Sequence, residues 1–78
     1  MARILIVDDE KAIRETLKEI LEFEKYDVLE ASNGEEALSS LKDQVIDLVL
    51  CDIKMPKMDG MELLDAVIKE GISVPFIM

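Results

Sequence analysis

The strongest constraint on this chain is a pair of short apolar runs that each stop at aspartate. Ile4-Leu5-Ile6-Val7 ends at Asp8-Asp9, and Leu48-Val49-Leu50-Cys51 ends at Asp52. Short, continuous apolar runs of this kind, the first of them rich in β-branched residues, read as strands buried on both faces. Strands are therefore expected over Arg3–Val7 and Asp47–Cys51. Between them the apolar period becomes helical. From Glu10 to Phe23, residues Ile13, Leu17, Ile20 and Leu21 fall on one helical face, with Asp9 the expected N-cap. Ser32-Asn33-Gly34-Glu35-Glu36 opens a second helix. Asn33 and Glu36 form a capping-box-like pair, and Ala37, Leu38 and Leu41 supply the apolar face. A third helix is expected over Met61–Lys69, with Leu63, Leu64, Val67 and Ile68 inward and Gly71 closing it as the C′ residue. Tyr26–Ala31 reads as a short, more polar edge strand. A fourth strand starts at Ser73 or Val74 and runs to Met78.

Strands separated by helices must be parallel, with right-handed crossovers. The expected fold is an α/β doubly wound parallel sheet. In such sheets ligands bind outside the carboxyl ends of the strands, at the topological switch point. That rule places Asp8, Asp9 and Asp52 together if the first and third strands are neighbours.

Composition narrows the function. The 78 residues carry 18 acidic and 9 basic side chains, a net charge of −9. This argues against a nucleic-acid partner and against an anionic membrane surface, both of which demand basic patches. Half the residues are apolar, which argues against disorder. With one Cys and no His, a disulfide framework, a His-containing zinc site and a His-based triad are excluded. The first apolar run is too short for a signal peptide or a membrane span. A cytoplasmic protein with a reduced Cys51 is expected.

Three carboxylates at one crevice repel one another, and a hard divalent cation relieves that repulsion. The donors are oxygens, and strand alternation turns Cys51 away from the face used by Asp52. Mg²⁺ or Mn²⁺ is the expected ion. A carboxylate beside such an ion can attack phosphorus and form an aspartyl phosphate. Asp52, alone at its strand end, is the better nucleophile candidate.

These residues carry a family resemblance. Ile4-Leu5-Ile6-Val7-Asp8-Asp9-Glu10, Ala31-Ser32-Asn33-Gly34-Glu35-Glu36-Ala37-Leu38, Asp47 through Gly60 and Val74-Pro75-Phe76-Ile77-Met78 occur in order. Together they resemble the receiver domain of two-component response regulators. The resemblance implies a flavodoxin-like sheet of strand order 2-1-3-4. It implies Asp52 as phosphoacceptor and metal contact, Asp9 as direct Mg²⁺ ligand, Asp8 acting through water, and the Lys54 backbone carbonyl as a further ligand. Pro56 and Gly60 would shape the loop after Asp52. The donor would be a phosphohistidine on a sensor histidine kinase, or a small acyl phosphate. The kinase would dock near Ile13, Arg14 and Leu17. Such domains catalyse their own phosphoryl transfer and loss and are not conventional enzymes.

The match covers residues 1–78 as the first two-thirds of one receiver domain. The fifth strand, the fourth and fifth helices, and the family's Ser/Thr and Lys have no counterpart, as in an excised or engineered fragment. Impaired phosphotransfer is the expectation. So is a homo-oligomer through the exposed fourth-strand edge and the uncovered sheet face. The alternative is a self-associating half-fold without signalling activity. A phosphatase using an Asp nucleophile is weaker, because no acid/base residue follows Asp52 at useful spacing. Asp59-Gly60 reads as a turn or helix start, and Cys51 as a small buried hydrophobe.

Overall fold

A computed structural model describes residues 2–52 and 58–78 of the chain. Lys54 and Pro56, named above, lie outside the described residues. Among the described residues the elements alternate: β1 (Arg3–Val7), α1 (Lys11–Phe23), β2 (Asp27–Ala31), α2 (Gly34–Asp43), β3 (Leu48–Cys51), α3 (Gly60–Lys69) and β4 (Phe76–Ile77). The four strands form one parallel sheet in the order β2-β1-β3-β4. This is the flavodoxin-like order expected from the resemblance.

The register puts Val7 beside both Ala31 and Cys51, so the carboxyl ends of the three strands are level. Alternate residues serve two unequal faces. Leu5, Val7, Val49 and Cys51 join Ala37, Leu41, Leu63 and Val67 in one buried cluster under α2 and α3. On the other face, Ile4 and Ile6 of β1 are covered, whereas Leu48 and Leu50 of β3 are only half-buried. The reading of β3 as buried on both faces thus fails on this side.

The same asymmetry corrects the helices. No residue of α1 is fully buried, and Ile13 and Ile20 are 40% and 55% exposed. Periodicity marked the correct stripe, but one helix alone spans only part of that sheet face. In α3, Leu63 and Val67 are buried and Ile68 is exposed. Ile68 falls on the outer edge of an apolar arc wider than the surface it packs on.

The helix ends follow local chemistry. Asp9 does not cap α1. The N-cap is Glu10, which makes no side-chain cap, and the Glu10 N–H donates instead to Asp8 Oδ1 at 2.9 Å. Asn33 caps α2 as expected, accepting from the Glu36 N–H at 2.9 Å. The Glu36 carboxylate reaches back one residue further than a capping box requires, to the N–H and hydroxyl of Ser32. The full capping box belongs to α3, between Asp59 and Glu62, and places Gly60 as the first helical residue. Gly71, at φ +73°, ends α3 in a Schellman motif. Its N–H donates to Ile68 O and that of Ile72 to Val67 O, as that motif requires. Lys25 occupies the equivalent place after α1 at φ 71°, a conformation that costs a non-glycine residue about 1 kcal/mol. The fourth strand is shorter than expected and is an edge, pairing only with β3 among the described strands.

Candidate phosphoacceptor and metal site

Asp8 is the buried member of the acidic group, 9% exposed. Its N–H donates to Ala31 O at 3.1 Å, continuing the β1–β2 ladder one residue past the strand. One of its carboxylate oxygens is occupied by the Glu10 N–H, which bends the chain so that Asp9 and Glu10 project outward. Both of these are exposed. The carboxylates of Asp8, Asp9 and Glu10 each offer an oxygen, and these oxygens all lie within 4.8 Å of one another. The third carboxylate of this tight group is Glu10, which the sequence reading did not name as a ligand. The signal for Glu10 was its adjacency to the aspartate pair. The tight turn made by the Asp8 carboxylate brings it in.

Asp52 follows β3 directly and is half-buried. Its N–H donates to Val7 O at 2.9 Å, which ties it to the end of β1. Asp8 and Asp52 line a common groove of about 420 Å³, whose apolar wall includes Ile6, Leu50, Ile13, Leu17 and Ile77. The level strand ends therefore bring Asp8 and Asp52 to the same crevice, at the switch point where β1 lies between β2 and β3.

Cys51 reports the field at this end of the sheet. Its Sγ donates to Asp52 O at 3.3 Å. Burial pushes the thiol pKa up to about 11, and the negative charges of Asp52, Asp8 and Asp59 push in the same direction. The thiol is thus protonated at neutral pH, and Cys51 packs in the buried core cluster under α2 and α3. What remains is a hard, all-oxygen donor set, two of whose carboxylates are exposed. These residues fit Mg²⁺ or Mn²⁺, which take oxygens and retain water.

Of the expected docking residues, Ile13 and Leu17 lie along the groove. Arg14 is turned inward, with Nη1 on the Asp8 carbonyl at 2.7 Å and Nε on Glu30 Oε1 at 3.3 Å. Two further features escaped the sequence reading. One is this Arg14 bridge. The other is Gly34, whose N–H donates to Met58 O at 3.1 Å. A Cβ at Gly34 would collide with that carbonyl oxygen and lie 2.7 Å from Met58 Cβ. The glycine lets the start of α2 sit directly on the segment that leads into α3.

Residues 4–78 match the response regulator receiver domain. This chain belongs to that family. The receiver is 44% identical over 78 residues to the transcriptional regulatory protein CpxR of Escherichia coli K12, covering all of this chain and 33% of that protein. It thus spans about a third of the length of the curated relative. Among solved structures, response regulator TrrA of Thermotoga maritima in complex with Mg²⁺-BeF is 45% identical with a TM-score of 0.93. That match covers all of this receiver and 68% of the TrrA chain. TrrA in complex with the histidine kinase ThkA matches at 45% identity and a TM-score of 0.89, over 97% of this receiver and 66% of that chain. No helix among the described residues is long and apolar enough to cross a membrane.

Proposed function

We propose that this receiver accepts a phosphoryl group on the Asp52 carboxylate. The observation that carries the proposal is the placement of Asp52 at the end of β3, hydrogen-bonded through its N–H to Val7 and sharing a groove with Asp8. An Asp52 oxygen attacks phosphorus in line. The O–P bond forms as the bond from phosphorus to the donor breaks, and the electron pair leaves with the donor. The donor is the phosphohistidine of a sensor histidine kinase, or a small acyl phosphate. A Mg²⁺ ion held by Asp9, by Asp8 through water, by Asp52 and by the Lys54 carbonyl would neutralise charge on the phosphoryl oxygens. Glu10 joins that set because its carboxylate lies within the same 4.8 Å group.

The groove wall formed by Ile13 and Leu17 suits an apolar kinase surface. Arg14 lies off that wall, with its guanidinium engaged by Glu30 and the Asp8 carbonyl. Pro56 and Gly60 would shape the loop after Asp52, and Gly60 is held at the start of α3 by the Asp59–Glu62 capping box. The exposed side chains of Ile77 and Met78 beside the same groove favour a second reading, in which the β4 edge also meets a second copy of the chain.

The test is phosphorylation by acetyl phosphate with Mg²⁺, followed by intact-mass spectrometry. The wild-type receiver is expected to gain one acid-labile phosphoryl group, and Asp52→Asn none. Labelling of Asp52→Asn at the wild-type level rejects Asp52 as the acceptor.

A further inference from the structure

The Asp8 peptide is held from two directions. Its N–H donates to Ala31 O at the end of β2, and its carbonyl accepts from Arg14 Nη1 at 2.7 Å. Arg14 lies in the first turn of α1 and reaches back across the β1–α1 connection. Its side chain is 15% exposed, so little of the guanidinium is left to solvent. The far side of the guanidinium is fixed by Glu30, through Nε to Oε1 at 3.3 Å. The other Glu30 oxygen takes Lys18 Nζ at 3.7 Å. A chain of contacts thus runs from β2 through Glu30 and Arg14 to the carbonyl of the residue that leads into Asp9 and Glu10.

We propose that Arg14, anchored by Glu30, is a positioning residue that holds the Asp8–Asp9–Glu10 carboxylates in their converging arrangement for a divalent cation. This deepens the function proposed above and rests on its assignment of a cation to this cluster. Arg14 has two opposing effects on such an ion. Its positive charge repels the ion, and its hydrogen bond fixes the loop that binds it. Glu30 beside the guanidinium offsets the charge, whereas the hydrogen bond from Arg14 directly holds the Asp8 carbonyl. The positioning effect therefore dominates. Loss of a group that orients a metal ligand typically weakens metal affinity about 10–100-fold.

The two effects predict opposite signs, which makes the test decisive. Mg²⁺ affinity is measured by titration calorimetry on the wild-type chain, Arg14→Ala, Arg14→Met, Arg14→Lys, Lys18→Ala and Asp9→Asn, with folding checked by circular dichroism. Arg14→Ala is expected to bind Mg²⁺ about tenfold more weakly. Arg14→Met keeps the aliphatic stem and should lose as much, and it decides the matter if the alanine variant does not fold. Arg14→Lys restores one donor and should recover part of the affinity. Lys18→Ala also removes a positive charge next to Glu30 but has no contact with Asp8, and should not weaken binding. A folded Arg14→Ala or Arg14→Met that binds Mg²⁺ as tightly as wild type, or more tightly, overturns the positioning role. If Asp9→Asn still abolishes binding in that case, the cation assignment stands. A wild-type chain that does not bind Mg²⁺ overturns both.

Discussion

Replacing Gly34 with alanine should cost more than any sequence-based propensity would suggest. Alanine is the better helix former, by up to about 1 kcal/mol, and Gly34 is the first residue of α2. Its φ lies outside the left-handed region, since the positive-φ glycine in this chain is Gly71. Conformation alone would therefore favour the substitution. The added methyl, however, meets the Met58 carbonyl oxygen, which is main chain and cannot rotate away, and two Met58 side-chain carbons at 2.7 Å. Relieving the clash means separating α2 from the segment before α3. Overpacking of this kind costs about 1–3 kcal/mol. The Gly34–Met58 hydrogen bond at 3.1 Å is lost with it, for about 1 kcal/mol more. Set against the helix gain, the net cost is about 2 kcal/mol, which lowers the melting temperature of a domain this size by roughly 8–16 °C. Thermal unfolding followed by circular dichroism at 222 nm (roughly the helix minimum) measures it. Met58→Ala in the same background should recover only part of the loss, because the closest collision is with the main chain. A Gly34→Ala variant that melts at or above the wild-type temperature would refute the reasoning.

Two other outcomes can be checked on the same material. The folded Cys51 thiol ionises at about 11, above the unfolded value of about 8.5. Its contribution to stability is therefore complete below the unfolded value and lost as pH rises through about 11. Cys51→Ala should show a shallower loss of stability over that window in urea melts, and parallel curves for the two proteins would reject the effect. Light scattering on a sizing column should show association that Ile77→Lys reduces, since Ile77 is 56% exposed on the edge strand. A wild-type monomer at high concentration would reject the β4 edge as a contact.

Much of the fold was legible because its signals are local. The unbroken apolar runs marked β1 and β3, and helical periodicity marked all three helices. The parallel order then followed from chain connectivity, and it brought Asp8 and Asp52 to one crevice without knowledge of any side-chain contact. What stayed hidden depends on a second partner distant in sequence. Arg14 reads as a surface residue of α1 until Glu30 and the Asp8 carbonyl are placed beside it. Gly34 reads as ordinary helix-start punctuation until Met58 comes to lie on it. Ile68 reads as core because periodicity gives the direction of a helix face but not the width of what covers it. Asp9 reads as a cap, yet Asp8 reaches the Glu10 N–H first and leaves Asp9 pointing to solvent.

The place of β1 between β2 and β3 also governs the order in which the molecule can assemble. Of these strands, β1 precedes both of its neighbours in the chain. It can pair with β2 once about Ala31 is available, but its other edge stays open until Cys51 has followed. Closing that second ladder joins segments more than forty residues apart, and the loop-closure entropy must be met before the contacts reward it. Until then Ile4–Val7, the most apolar segment of the sheet, presents an unpaired edge. Folding of this receiver is thus gated by the arrival of β3, the same strand that delivers Asp52.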